Sequence, residues 1–319
     1  MTSTGSVSIE DVRRAAERVA EVAVRTPLVE APELSRTIGV TALLKCEQEQ
    51  PVGAFKMRGA YNAIAALSAE ARAAGVITYS SGNHGQAVAY AGHRLGCRAV
   101  VAMPDHAPRV KVEGVKRWGG EVVSGGPTSQ SRKAVAERMA AEEGLVIVPP
   151  FDHPEIIAGQ ATCTLEIIAD RPDLRTLLVP VGGGGLLAGA CTVVAALAPD
   201  VQVVAVEPVG AAKLSAALAA GRPVSLQNAT SLADGLLPLA IGDLTFPIIA
   251  PVVDRVVTVT DEDLARAVRV LHRQGIRAEP SGAATTAALL TGAVEPVGTT
   301  VAIISGGNVD DELFQTLVA

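Results

Sequence analysis

The feature that most restricts this chain is a set of short runs that are apolar almost from end to end. Thr41–Cys46, Val76–Tyr79, Ala99–Met103, Leu145–Val148, Thr176–Val181, Gln202–Val206 and Thr300–Ser305 are rich in β-branched residues, and most of them do not alternate with polar ones. A strand with one wet face must alternate. A strand without alternation is covered on both faces, as in a parallel sheet whose crossover helices pack on either side. Helical patterns separate these runs: Ile9–Val24, Gly59–Leu67, Gln86–Leu95, Arg132–Glu143, Gly189–Leu197 and Asp261–Gln274. Thr260 stands as an N-cap before Asp261 and Glu262, whose charges suit a helix start. Strand and helix in alternation predict an α/β architecture with doubly wound, mostly parallel sheets. Gly96–Val123 reads as strand–helix–strand inside a compact βαβ stretch over 70–148. This stretch is expected to form a smaller, mobile domain, with 1–69 and 149–319 forming the larger one.

Composition removes several function classes. Hydrophobic residues are 49% of the 319 and aromatics only 3%, so Ala, Val, Leu and Ile must pack the core. A net charge of −6 without clustered Lys and Arg argues against nucleic acid as a partner. Thr176–Pro199 carries no charge and is long enough for a bilayer, but Pro180 and Gly182–Gly185 would leave backbone groups unpaired in lipid. No membrane association is expected. Met1–Glu10 lacks the apolar core of a secretory signal. Cys46, Cys97, Cys163 and Cys191 form no CxxC pair and read as buried thiols in a reducing compartment, hence a cytoplasmic location.

Four segments could carry chemistry. Gly53–Gly59 places Lys56 near a helix start, a poor position for a cation, either as a surface lysine or as an amine for Schiff-base chemistry. Tyr79–Gly85 follows a strand and opens a helix. Its free N–H groups, with Ser81 and Asn83, suit a carboxylate or phosphate, or else form a plain capped turn. His84 there is a candidate base or a structural hydrogen-bonding group. Val181–Leu186 is a second strand-to-helix turn whose four glycines let the backbone close on a phosphate. A nicotinamide-binding turn is the alternative, with Glu207 near the position of a ribose-binding acid. Ser305–Asn308 ends the last strand, on the edge where ligands of open α/β sheets collect. An amine, two anion cradles and a terminal hydroxyl at strand ends together suit a phosphorylated aldehyde bound to lysine, with an amino acid as substrate.

In this order GAFKMRGA, SSGNHGQ, IIAGQ, VGGGGLLAG, the ADG of Ala233–Gly235 and SGGNVD resemble the serine racemases and serine/threonine dehydratases, which are tryptophan-synthase-β-like pyridoxal-phosphate enzymes of fold type II. The resemblance runs from about Arg25 to Asp310. It implies pyridoxal 5'-phosphate held by Lys56, Phe55 beside its ring, and Gly182, Gly183, Gly184, Gly185 and Leu186 around its phosphate. It further implies Asn83 on the ring hydroxyl and Ser305 at the ring nitrogen. Ser81, Gly82, Asn83 and His84 would take the substrate carboxylate. The implied activity is an ammonia-lyase (dehydratase): Lys56 removes the Cα proton of a small β-hydroxy amino acid such as L-threonine or L-serine, giving a 2-keto acid and ammonia. Two alternatives lie within the family. One is a racemase using Lys56 and Ser81 on opposite faces. The other is a 3-hydroxyaspartate dehydratase, suggested by Ala54, with Arg132 as the candidate cation for the second carboxylate. A nucleotide-binding module is the alternative outside it. Relatives imply a homodimer. They also place a divalent cation on Glu-Pro-x-x-Ala-x-Asp. Here Glu207 and Ala211 match, but Lys213 replaces the acidic ligand, so a weakened or absent metal site is expected, with the Lys213 ammonium in its place.

Overall fold

The computed structural model describes residues 7–80, 82–105, 107 and 109–319. Its strands are β1 (Leu28–Glu30), β2 (Ala42–Cys46), β3 (Val76–Tyr79), β4 (Ala99–Met103), β5 (Glu121–Ser124), β6 (Val146–Ile147), β7 (Leu174–Pro180), β8 (Gln202–Pro208), β9 (Arg255–Val259) and β10 (Thr299–Ile304). They form a six-stranded sheet in the order β1-β2-β10-β7-β8-β9 and a four-stranded sheet in the order β5-β4-β3-β6. Every pairing is parallel except that of β1 with β2. The unbroken apolar runs are covered on both faces: β2 and β4 are buried at every position. The register sets Ile304 beside Cys46 and Pro180 beside Val206. The carboxyl ends of the central strands therefore share one edge, where their following loops meet.

The sequence reading misses some elements and misplaces some ends. β9 escapes it because an edge strand with Arg255 and Thr258 exposed has no long apolar run. The helices Pro154–Asp170 and Pro280–Leu290 escape it because they show no polar face. All of Pro280–Leu290 is buried, so no amphipathic stripe marks it. The helix read from Gly189 starts at Gly185, inside the glycine run itself. The helix read over Gly59–Leu67 is Lys56–Ala65, which makes Lys56 its first residue. Ile9–Val24 stops at Val19, and the pattern read from Arg132 begins at Ser129 behind a Thr128 capping box. Thr260 caps Asp261–Arg273 as read, through a reciprocal box with Asp263. The uncharged 176–199 segment divides into β7, the glycine turn and the helix Gly185–Leu197. No helix among the described residues is long and apolar enough to cross a membrane.

Two helices fix the site from behind. Lys56–Ala65 crosses Pro154–Asp170 so closely that a Cβ on Gly159 would lie 2.7 Å from the Arg58 carbonyl oxygen. Beside this crossing, the fully buried Arg58 makes a two-pronged pair with Glu47, Nε to Oε2 at 2.7 Å and Nη2 to Oε1 at 2.8 Å. Arg58 Nη1 also donates to Glu166 Oε1 at 2.7 Å, and buried Lys45 donates to Glu166 Oε2 at 2.6 Å. Burying these charges is costly, and the cost is offset only because each is matched by an opposite one. Removing one would leave its partner stranded, so the network holds the Lys56 helix in a single position.

Candidate active site

Lys56 reaches the strand-end crevice because the segment before it is tied to β10. The Phe55 N–H donates to Ser305 O at 3.1 Å, Ala54 bridges Gly306, and the Gly307 N–H donates to Gly53 O at 2.9 Å. Lys56 Nζ donates to Pro150 O at 2.7 Å, and no carboxylate among the described residues pairs with it. Burial alone pulls its pKa down from 10.5 to about 8, because an amine out of water disfavours its charge. A substantial neutral, nucleophilic fraction follows near physiological pH.

Pro150 leads into Phe151, whose ring lies against the glycine turn. A Cβ on Gly183 would overlap that ring, and Gly184 has φ 100°, a conformation L side chains rarely adopt. The turn is braced from outside. Thr245 Oγ1 donates to Gly183 O at 3.0 Å, the Gly242 N–H donates to the same oxygen at 3.2 Å, and the Asp152 carboxylate accepts from the N–H groups of Asp243, Leu244 and Thr245. Among the described residues, nothing accepts from the N–H groups of Gly182–Leu186. Free donors at the start of an apolar helix, on a backbone with no room for side chains, fit a phosphate. The second turn repeats the device: the N–H groups of Asn83 and His84, at the start of the helix Asn83–Leu95, meet no described acceptor.

Phe55, Lys56, Gly82, Asn83, His84, Gly182–Leu186 and Ser305 all line one cavity of about 850 Å³. Ser81, expected on the ring face opposite Lys56, lies outside the described residues. Ser305 is buried, and among the described residues its hydroxyl finds only Ser281 O at 3.5 Å, which leaves it open to a ligand. His84 does not suit a general base. Its Nε2 donates to Val148 O at 3.1 Å, and burial with nearby Lys56 holds its pKa down at about 3, so it stays neutral. Its Nδ1 is buried without a partner among the described residues.

Other wall residues were not found by the sequence reading. Phe151 and Ser281 carry no local signal. Glu279 could have been found: Glu279-Pro280 marks a helix start with Pro at its first position. Glu279 is buried, and burial together with Asp234 raises its pKa to about 8. Lys111 pairs with Asp234, and both line the cavity. Arg132 also lines the cavity and is 9% exposed. It donates to Pro127 O and Ser129 Oγ, but among the described residues its Nε has no partner and no carboxylate meets its guanidinium.

Glu207 lies outside the cavity wall. Its carboxylate accepts from the N–H groups of Leu214 and Ser215 at 2.9 Å each and so caps the helix Lys213–Ala220. A carboxylate occupied in this way is not free for a ribose, which removes the support for the nicotinamide reading. Lys213 is fully buried. It donates to the carbonyls of Val181, Ala211 and Leu236 at 2.8, 2.9 and 2.9 Å, with Glu207 Oε2 at 3.8 Å. The ammonium thus sits among oxygens directly behind the glycine turn.

Comparison with known proteins agrees with this geometry. Residues 19–306 match the family described as "Pyridoxal-phosphate dependent enzyme". The chain is 40% identical to the biosynthetic L-threonine dehydratase of Pasteurella multocida, over 94% of this chain but only 59% of that protein. It is 37% identical to the L-threo-3-hydroxyaspartate ammonia-lyase of Saccharomyces cerevisiae, covering 97% of this chain and 95% of the relative. The structure of maize serine racemase superposes with a TM-score of 0.94 at 36% identity, over 98% of this chain and 97% of that one. A lysine amine and a glycine turn of unused N–H groups in one crevice, with a match over most of the chain, lead to one conclusion: the chain belongs to the pyridoxal-phosphate-dependent enzyme family.

Proposed function

We propose that this protein is a pyridoxal-phosphate-dependent ammonia-lyase that eliminates water from a small β-hydroxy amino acid, releasing a 2-keto acid and ammonia. The observation that carries the reading is the convergence of Lys56, two turns of unused N–H groups and the Ser305 hydroxyl on one cavity. When bound, the cofactor supplies an electron sink for the substrate's Cα carbanion. The chain supplies the rest. The Gly182–Leu186 N–H groups and the positive helix end would hold the phosphate. The turn at Gly82–His84 holds the substrate carboxylate. With the cofactor bound, Lys56 would be the base that takes the substrate's Cα proton. Its depressed pKa, about 8, raises the neutral fraction available for that step. Ser305, a buried neutral hydroxyl on the cavity wall, would face the cofactor's ring nitrogen without offering it a charge, which would favour loss of the β-hydroxyl. The Phe55 ring, its centroid 5.2 Å from Lys56 Nζ, shields the amine on one side.

Arg132 favours a second substrate reading. A buried guanidinium without a carboxylate partner suits a substrate that brings its own second carboxylate, such as 3-hydroxyaspartate. We assign the 70–148 stretch, with its own sheet, as the unit that moves over the substrate, and place the enzyme in the cytoplasm as a homodimer. Light scattering on the purified protein tests the dimer. A keto-acid release assay across L-serine, L-threonine and L-threo-3-hydroxyaspartate tests the function, with D-serine measured alongside. Turnover lost in Lys56→Ala is expected, and turnover kept in that variant would refute the reading.

A further inference from the structure

Two turns of polar side chains meet between the sheets, and the sequence reading gave a role to only one member. Asn83 opens the helix that follows β3 in the four-stranded sheet. Asn308 and Glu279 come from the loops around β10 and Pro280–Leu290 on the six-stranded side. Asn308 Nδ2 donates to Val52 O at 2.7 Å and to Asn83 Oδ1 at 2.9 Å, and Asn83 Nδ2 donates to Glu279 Oε1 at 2.6 Å.

The direction of this chain follows from its two ends. Val52 O can only accept, so the Asn308 atom facing it must be the amide nitrogen. That nitrogen can only donate, so the Asn83 atom facing it must be the oxygen. The Asn83 nitrogen is thereby turned toward Glu279 and the cavity wall. An amide side chain is otherwise free to present either end. One Asn83 N–H is spent on Glu279, and the second has no described acceptor.

We propose that Glu279 is a positioning residue for cofactor binding: with Asn308 it clamps the Asn83 amide so that an N–H, not the carbonyl, faces the cofactor's ring hydroxyl. Glu279 is the N-cap residue of Pro280–Leu290 but makes no side-chain capping bond, so its carboxyl is left for Asn83. A Cβ on Gly306 would run into that carboxyl, which shows how closely the turn after β10 wraps it. Burial raises its pKa, and a carboxyl carrying a proton still accepts through its carbonyl oxygen. The clamp also spans the two sheets, because Asn83 is 196 residues from Glu279 and 225 from Asn308.

The inference rests on the pyridoxal-phosphate reading and has its own test. Apo protein is titrated with pyridoxal 5'-phosphate, followed by visible absorbance, in wild type, Glu279→Gln, Glu279→Ala, Asn308→Ala and the double alanine variant. Wild type that fails to bind overturns the cofactor reading itself. With wild type binding, Glu279→Ala is expected to weaken the cofactor by about tenfold, the scale of one buried hydrogen bond, and to shift the absorbance band. Glu279→Gln, which keeps the acceptor oxygen, should restore both. Asn308→Ala should reproduce the loss, and the double variant should lose little more than either single one, because both remove the same constraint. Far-UV circular dichroism checks folding, and Asn308→Ala carries the test if Glu279→Ala does not fold. Alanine variants that bind cofactor and absorb like wild type, or a double variant with additive losses, would overturn the proposal.

Discussion

Lys213 offers the sharpest energetic test of the framework behind the glycine turn. Replacing it with methionine keeps the side-chain length and removes the ammonium. Three buried carbonyls, those of Val181, Ala211 and Leu236, then lose their donor. Each stranded acceptor costs about 1–3 kcal/mol, so the loss is roughly 3–9 kcal/mol. The wild-type ammonium has its own penalty: burial lowers its pKa from 10.5 to about 8, and Glu207 only partly offsets this. That depression corresponds to about 3 kcal/mol, which a neutral side chain recovers. A net destabilisation of about 3 kcal/mol is left, measured by denaturant unfolding of the apo protein. Cofactor affinity should fall too, because Val181 O lies immediately before Gly182 and Leu236 immediately after Gly235, whose carbonyl lies against Gly182. A small cation should partly replace the ammonium, so added potassium or ammonium should recover part of the lost affinity in Lys213→Met and do little for wild type. A variant as stable as wild type with unchanged cofactor affinity would refute the view that the ammonium holds this oxygen cluster. So would strong activation of wild type by Mg²⁺ that a chelator reverses.

Three further outcomes are expected. Gly183→Ala puts a methyl into the Phe151 ring and should weaken cofactor binding by at least about tenfold in an absorbance titration, with little change in the apo fold. Arg132→Leu should raise KM for 3-hydroxyaspartate by about tenfold or more while changing that for L-serine little, and equal effects on both would remove Arg132 from substrate selection. The Lys56 amine is protonated below its folded-state pKa of about 8 and nucleophilic above it. The rate of cofactor capture by apo protein should therefore rise with pH through that value and then level off, whereas a rise continuing toward 10.5 would show an ordinary exposed lysine.

Much of the architecture could be read from the chain because its signals are local. Apolar runs without alternation announce strands covered on both faces, and β2, β4, β7 and β10 lie where those runs are. Lys56 and the glycine turn were legible for a related reason: a cation at a helix start and four consecutive glycines are expensive unless used. Helices without a polar face, such as Pro280–Leu290, gave no period to detect, and β9 at the sheet edge gave no apolar run.

Partnership across long sequence distances was beyond the reach of the sequence. It showed a histidine in a turn. The fold decided that His84 is neutral, by burying it and giving its Nε2 to Val148. It showed an acid, Glu207, at a plausible ribose-binding distance, and the packing spent that acid on a helix cap. Glu279, Phe151 and the Lys213 oxygen cage became visible only when strand ends far apart in the chain were brought to one edge. Backbone preference and hydrophobic period act between near neighbours, so they are written in order along the chain. Desolvation and hydrogen-bond pairing depend on what lies alongside in space, and only the folded chain determines that.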